Sequence, residues 1–216
     1  MSDEQPSAGL SRRAFLKGSG MAAVAGAAAG LPVLAPAAEA VPPQGAGGPA
    51  NVPAHGPGAV KITLTVDGRE RSTSVEPRVT LLDALRNYLD VTGCKRVCDR
   101  ATCGACTVLL DGKAVYSCTT LALEAQDKKI KTAEALIDGG KLDAVPAAFA
   151  TADAQQCGFC TPGFVVAMRA GFDKNPNASP AEIEEAVSGN ICRCGTYEQM
   201  RDTIAALCKV QRKKEG

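Results

Sequence analysis

The sequence predicts an α+β protein, with a strand-rich unit over residues 59–133 and an all-helical unit over residues 134–216. Three observations carry that division. Apolar and polar residues alternate at period two just after residue 60. Two Asp-Gly pairs, at 67–68 and 111–112, punctuate the first half as tight hairpin turns do. Beyond residue 134 the apolar period lengthens to that of a helix, and Pro or Ser/Thr capping signals precede the periodic runs.

Taken in order, Ile62, Leu64 and Val66 alternate with Lys61, Thr63 and Thr65, a half-buried strand. Asp67-Gly68 turns it into a second strand over 69–75. Thr80 can cap a helix that buries Leu81, Leu82, Leu85 and Leu89. A cysteine-rich loop follows. Residues 107–110 read as a strand, Asp111-Gly112 as a turn, and 113–118 as the return strand; 129–131 adds a short one. After Glu134 the strands are expected to stop. Pro146 can open a helix holding Phe149 and Ala152. Pro162 opens another, with Phe164, Met168 and Phe172 one turn apart. Ser179-Pro180-Ala181-Glu182 is a capping box before a helix expected to bury Ile183, Ala186 and Val187. Thr196-Tyr197-Glu198-Gln199 is a second, and its helix carries Met200, Ile204, Leu207 and Cys208 on one stripe. Four helices make the second unit.

The first 40 residues are read apart from the fold. Ser11-Arg12-Arg13-Ala14-Phe15-Leu16-Lys17 is a twin-arginine export motif, followed by an Ala/Gly-rich stretch and a small-x-small cleavage site at Ala38-Glu39-Ala40. Pro32 and Pro36 interrupt the stretch, and Ala and Gly partition weakly into lipid, so no stable membrane span is expected. The reading implies a periplasmic protein, exported already folded. Residues 41–58 are a Pro/Gly-rich linker holding His55, the only histidine.

Charge excludes little-related classes. The net charge is +1 and there is no Trp, so neither an electrostatic footprint nor stacking platforms for nucleic acid are present. Lys209, Arg212, Lys213 and Lys214 read as a solvated helix end.

Eight of the ten cysteines form two sets of four. Cys98, Cys103, Cys106 and Cys118 read C-x4-C-x2-C-x11-C; Cys157, Cys160, Cys192 and Cys194 read C-x2-C-x31-C-x-C. The first is the plant-type ferredoxin spacing, and four thiolates hold one [2Fe–2S] cluster. Two hairpins, one helix and such a loop describe a β-grasp ferredoxin domain. Cys118, at the end of a strand, closes the cage from the far side, and Gly104 lets backbone N–H groups approach the sulfurs. Both pairs of the second set stand just before helix starts, where free N–H groups favour thiolates. A disulfide scaffold and a pair of four-cysteine zinc sites are the competing readings. The former fits poorly with cysteines one and two residues apart, the latter with the first spacing. Cys94 reads as a thiol packed near the loop, and Cys208 as a core thiol.

CDRATCGACTVLLDG at 98–112, QCGFCTPG at 156–163 and NICRCGTY at 190–197 resemble the two cluster motifs of the iron–sulfur small subunits of molybdenum hydroxylases, the xanthine dehydrogenase and aldehyde oxidoreductase family. The likeness spans about residues 60–210 and, with the export motif, is greatest to periplasmic aldehyde oxidoreductases. It implies a β-grasp [2Fe–2S] ferredoxin domain followed by a four-helix [2Fe–2S]-binding domain. It implies an electron-transfer subunit of an oxidoreductase complex, without a substrate site or catalytic residue of its own. The implied partners are a large molybdopterin-binding subunit that oxidises an aldehyde or N-heterocycle, and an FAD-binding subunit or a c-type cytochrome carrying haem. It further implies that Gln156 and Cys194 lie at the partner's molybdopterin. Val97, Asp99 and Ala101 stand where the family usually or often has Gly, which bears on the loop's shape, potential and solvent access. The alternative function is a free-standing periplasmic two-cluster electron carrier, against which the second domain counts.

Overall fold

The computed structural model describes residues 55–214. The export motif and most of the linker lie outside them. Strands β1 (Val60–Val66) and β2 (Arg69–Val75) pair antiparallel through the Asp67-Gly68 turn, with φ of +51° and +75° at its two residues. Helix α1 begins at Leu81–Asp83 and widens to a π turn over Ala84–Tyr88. Thr80 caps it, its Oγ1 accepting from the Asp83 N–H at 3.2 Å. Strands β3 (Thr107–Leu110) and β4 (Lys113–Tyr116) form the second hairpin, and β5 (Lys129–Lys131) completes a sheet ordered β2-β1-β5-β3-β4. β5 runs parallel to β1 and antiparallel to β3, the mixed pairing of a β-grasp sheet.

The first core lies between α1 and one face of this sheet. Ile62, Leu64, Leu81, Leu82, Leu85, Val108 and Ile130 are 0–1% exposed. Burying a Leu or Ile contributes roughly 1.5–3 kcal/mol, against about 1 kcal/mol net for a hydrogen bond. Side-chain burial, more than the ladder, therefore holds α1 to the sheet. Asp67 adds a long-range tie. Its carboxylate accepts from the Thr132 N–H at 2.7 Å and the Thr132 hydroxyl at 2.8 Å, joining the first turn to the strand end after β5.

The sequence expectation of no strand after Glu134 needs correcting. Residues Ile137–Asp138 (β6) and Lys141–Leu142 (β7) pair across Gly139 and Gly140, both at positive φ. Then come α2 (Ala144–Thr151), α3 (Thr161–Lys174), α4 (Pro180–Ala186) and α5 (Tyr197–Lys214). α2 starts two residues before Pro146, because the Asp143 carboxylate accepts from the Val145 N–H at 2.9 Å and supplies the cap. The Ser179–Glu182 capping box forms in full. Ala186 is exposed, not buried, while Ile183 and Val187 are buried. The second core gathers Phe149, Phe164, Met168, Phe172, Ile183, Met200, Ile204 and Leu207.

The helical unit also covers the other face of the sheet. α3 packs on β3 and β4. All four residues of β3 are therefore buried, Thr107 and Leu109 as well as Val108 and Leu110. Among the described residues no helix is long and apolar enough to cross a membrane.

Replacing Asp67 by Ala should lower the denaturant midpoint by an amount equivalent to about 2 kcal/mol, since it strands the buried Thr132 hydroxyl and removes two charge-assisted bonds. Parallel urea titrations of the variant and the parent protein check this. An unchanged midpoint would show that the tie contributes nothing.

Candidate metal centres

The first four cysteines sit where the loop 95–106 meets the end of the second hairpin. Cys106 and Cys118 are buried, 3% and 5% exposed; Cys98 and Cys103 are half-buried at the rim. The thiols meet in pairs, Cys98 with Cys103 and Cys106 with Cys118. The loop reaches this arrangement through left-handed backbone at Asp99 (φ +56°), Ala101 (φ +56°) and Gly104 (φ +68°). These kinks turn N–H groups inward. Ala101 N donates to Cys118 Sγ at 3.3 Å and Thr102 N to Cys98 Sγ at 3.4 Å. Two of the three positions that depart from the family's glycines thus keep a conformation glycine favours. Asp tolerates it better than most residues, and Arg96 holds Asp99 there through a 2.9 Å ion pair while also pairing with Asp83.

The electrostatics follow from these donors. Burial raises the Cys98 thiol, but hydrogen bonds from Thr102, Arg100 and Cys103 outweigh it and bring the group down to about 6. Burial pushes Cys118 up to about 11, and the neighbouring Cys106 and Cys98 add to the rise. Burial also raises Cys103. Cys94 lies beneath the loop, 1% exposed within the first core, and burial pushes it up to about 11. That placement matches the reading of a packed thiol.

The second set is more open. Cys160 is the N-cap of α3 and Cys192 lies in the turn before α5, and their thiols meet. Cys157 and Cys194 are exposed. Burial, reinforced by Cys192, pushes Cys160 up to about 12. Burial raises Cys192 as well, but Thr196, Gly195 and Cys160 outweigh it and bring it down to about 7. The Thr196 hydroxyl, expected to close a capping box, faces Cys192 Sγ at 3.3 Å. The Cys192 N–H donates to Tyr197 Oη at 2.7 Å, and the Tyr197 ring stands edge-on to Phe164, 6.4 Å between centroids. Gln156, Phe159, Ile191 and Tyr197 around this set are all exposed.

Thiols meeting two by two suit a two-metal cluster, which takes two thiolates at each iron. The first set has both pairs in place. In the second, Cys160 and Cys192 form one pair, and Cys157 and Cys194 stand free at the surface to supply the other. The buried Thr161 hydroxyl, next to Cys160, has no partner within the described protein. A group bearing sulfur acceptors would satisfy it. Both donor sets fit [2Fe–2S] clusters.

Comparison with known proteins agrees. A 2Fe-2S iron-sulfur cluster binding domain matches residues 64–136, and a [2Fe-2S] binding domain matches residues 132–205. The chain is 43% identical to the nicotine 6-hydroxylase small subunit of Paenarthrobacter nicotinovorans, over 67% of this chain and 87% of that one. It is 39% identical to the aldehyde oxidoreductase iron-sulfur-binding subunit PaoA of Escherichia coli O157:H7, over 72% of this chain and 74% of that one. A chain of quinoline 2-oxidoreductase from Pseudomonas putida 86 superposes with a TM-score of 0.67 at 41% identity, covering 73% of this chain and 99% of that one. This chain belongs to the family of iron–sulfur small subunits of xanthine dehydrogenase and aldehyde oxidoreductase type. As a member of that family it is a subunit of an oxidoreductase and carries two [2Fe–2S]-binding domains, one for each cysteine set.

In the iron-free chain, iodoacetamide should label Cys98 ahead of Cys118 and Cys160. Its rate should rise with pH through about 6 and level off above, because the thiolate is the nucleophile. Cys118 and Cys160, at about 11 and 12, should stay slow at neutral pH. Site-resolved mass spectrometry across pH 4–10, about the accessible range for thiol labelling, checks it; a Cys98 midpoint near the ordinary 9 would contradict the donor geometry.

Proposed function

We propose that this chain is the electron-transfer subunit of a heteromeric molybdenum hydroxylase that oxidises an aldehyde or an N-heterocycle. It links a large molybdopterin-binding subunit to an FAD-binding subunit or a c-type cytochrome. Cys98, Cys103, Cys106 and Cys118 hold the first [2Fe–2S] cluster, and Cys157, Cys160, Cys192 and Cys194 the second. Each cluster, when bound, takes up and returns single electrons. The helical-domain set lies toward the molybdopterin subunit, with Gln156 and Cys194 at the pterin, and the β-grasp set lies toward the acceptor. The twin-arginine motif delivers the folded subunit to the periplasm.

One observation carries this reading. The two cysteine sets share a seam in one fold, where the Ile191 N–H, beside Cys192, donates to the Cys103 carbonyl at 2.9 Å. A relay between two partners needs two sites held side by side, which a single-site carrier lacks. The protein's own contribution is positional and electrostatic. Backbone N–H groups of Ala101 and Thr102 and the hydroxyl of Thr196 point at thiol sulfurs, and such bonds raise the potential of a cluster. The exposed rim of Gln156, Phe159, Ile191 and Tyr197 supports a partner at the second set, because apolar side chains beside open ligands are protected when covered.

Affinity purification of the chain from its native host tests the proposal. A molybdenum-containing partner should come down with it, together with about four irons per chain. Cys103→Ser and Cys160→Ser should each remove about half the iron and one of two [2Fe–2S] EPR species. Gln156→Ala should slow reduction by substrate while dithionite reduces both species normally. A chain that purifies alone with its iron is a free-standing carrier, and the proposal fails.

Changing Arg12 and Arg13 together to Lys should leave the protein in the cytoplasm with both clusters assembled, because the arginine pair is what the export machinery reads. Normal periplasmic accumulation of that variant would remove the basis for the location.

A further inference from the structure

We propose that Asn190, which is not a ligand, is the positioning residue that fixes the separation between the two cysteine sets. The inference rests on the two-cluster reading above and concerns what holds the two sites in register.

Asn190 is 6% exposed and lies between two tight turns. Its backbone N–H donates to the Val187 carbonyl at 2.9 Å, which ties it to the end of α4. Its side-chain Nδ2 crosses the seam and donates to the Gly104 carbonyl at 2.9 Å, with Thr107 Oγ1 at 3.4 Å. Gly104 directly follows Cys103, and Asn190 stands two residues before Cys192. One buried amide therefore connects the backbone of the first set to that of the second. The parallel Ile191–Cys103 bond makes the connection two-pointed, which fixes orientation as well as distance.

The backbone around the carboxamide approaches closely because glycines stand there. A Cβ at Gly104 would stand 2.5 Å from Asn190 Nδ2, and one at Gly163, near the start of α3, would stand 2.3 Å from the Gly104 carbonyl oxygen and 3.0 Å from Nδ2. A Cβ at Gly189 would meet Tyr116 Oη at 1.9 Å. Gly104 and Gly163, on two segments, thus let the backbones close around the carboxamide, while Gly189 makes room for Tyr116 beside it. Aspartate in its place would aim an acceptor at an acceptor carbonyl. Neither a charge nor a hydrophobe reproduces the bond.

The test uses the full chain with its clusters in place. Two reduced clusters at fixed short separation split each other's EPR lines at low temperature, and that splitting depends on distance and orientation, not on how much protein is folded. Asn190→Ala and Asn190→Asp should keep two EPR species but lose or alter the resolved splitting. Gly163→Ala, which pushes on Gly104 from the α3 side, should do the same. Gly171→Ala, whose Cβ meets only Ile183 and Ala186 inside the helical unit, should leave the splitting unchanged. A merely structural role would lower iron loading or the thermal midpoint and leave the splitting of the loaded fraction as in the parent. Parent-like splitting in both Asn190 variants, or in Gly163→Ala where those fail to load, overturns the proposal. A parent chain with a single EPR species at full iron removes the two-cluster reading itself, and the proposal with it.

Discussion

The carbonyl oxygen of Gly104 accepts from three donors: the Thr107 N–H at 3.1 Å, the Thr107 hydroxyl at 2.6 Å and Asn190 Nδ2 at 2.9 Å. All of these groups are buried, so leaving any one unpaired would cost about 1–3 kcal/mol. The knot sets where the cysteine loop can lie. It also sets where α3 can begin, since Gly163 abuts the same oxygen. The helical unit seats on β3 beside this carbonyl, and that seating buries Thr107 and Leu109 on the outer face of the sheet. Core packing stabilises each half separately. The seam is what makes one fold of them.

The loop over Cys98–Cys106 shows how sequence strain and thiol chemistry are linked. An L-residue in the left-handed region costs roughly 1–2 kcal/mol, and Ala101 has none of the local polar bonding that eases Asp99. Its compensation is visible. The same kink points its N–H at Cys118 Sγ and lays its methyl group against the first core. A glycine would relieve the strain but add freedom to the unfolded chain and lose the methyl contact. The departure from the family's glycines therefore leaves the loop's donors aimed at the sulfurs.

Much of this was legible in the sequence because it rests on local rules. The period-two run at Ile62–Val66 and both Asp-Gly turns place the hairpins, and left-handed φ at each turn residue bears out that chemistry. The Ser179 capping box and the Met200–Cys208 stripe place two helices. What the sequence concealed depends on tertiary contact. The hairpin at 137–142 is two residues a side and carries no alternation to read. Helix α2 is started by Asp143, not by Pro146, because a carboxylate cap supplies a bond and proline only tolerates the position. Ala186 fits the apolar period but ends on the surface, as the short α4 stops before that turn can pack. The cysteine sets announced themselves by spacing. Asn190 did not, being neither a metal-ligand type nor charged; what marked it was its place at the head of the NICRCGTY segment, next to Gly189.

The two sets differ in how completely this chain encloses them, and that difference bears on direction. Cys106 and Cys118 are buried within the first core, whereas Cys157 and Cys194 face outward with Phe159 and Ile191 about half exposed beside them. Exposed thiols and apolar side chains together are a poor end state for a free surface. A subunit that covers the second set would exclude solvent from both and would bring its own cofactor close to Cys194. The first set is more enclosed; its rim cysteines, Cys98 and Cys103, are half-buried, the edge at which the proposed acceptor would meet it. Under the proposed function, enclosure by the chain on one side and completion by a partner on the other would give the relay a sense of travel. This asymmetry of burial supports the proposed order, in which the helical-domain set faces the molybdopterin subunit.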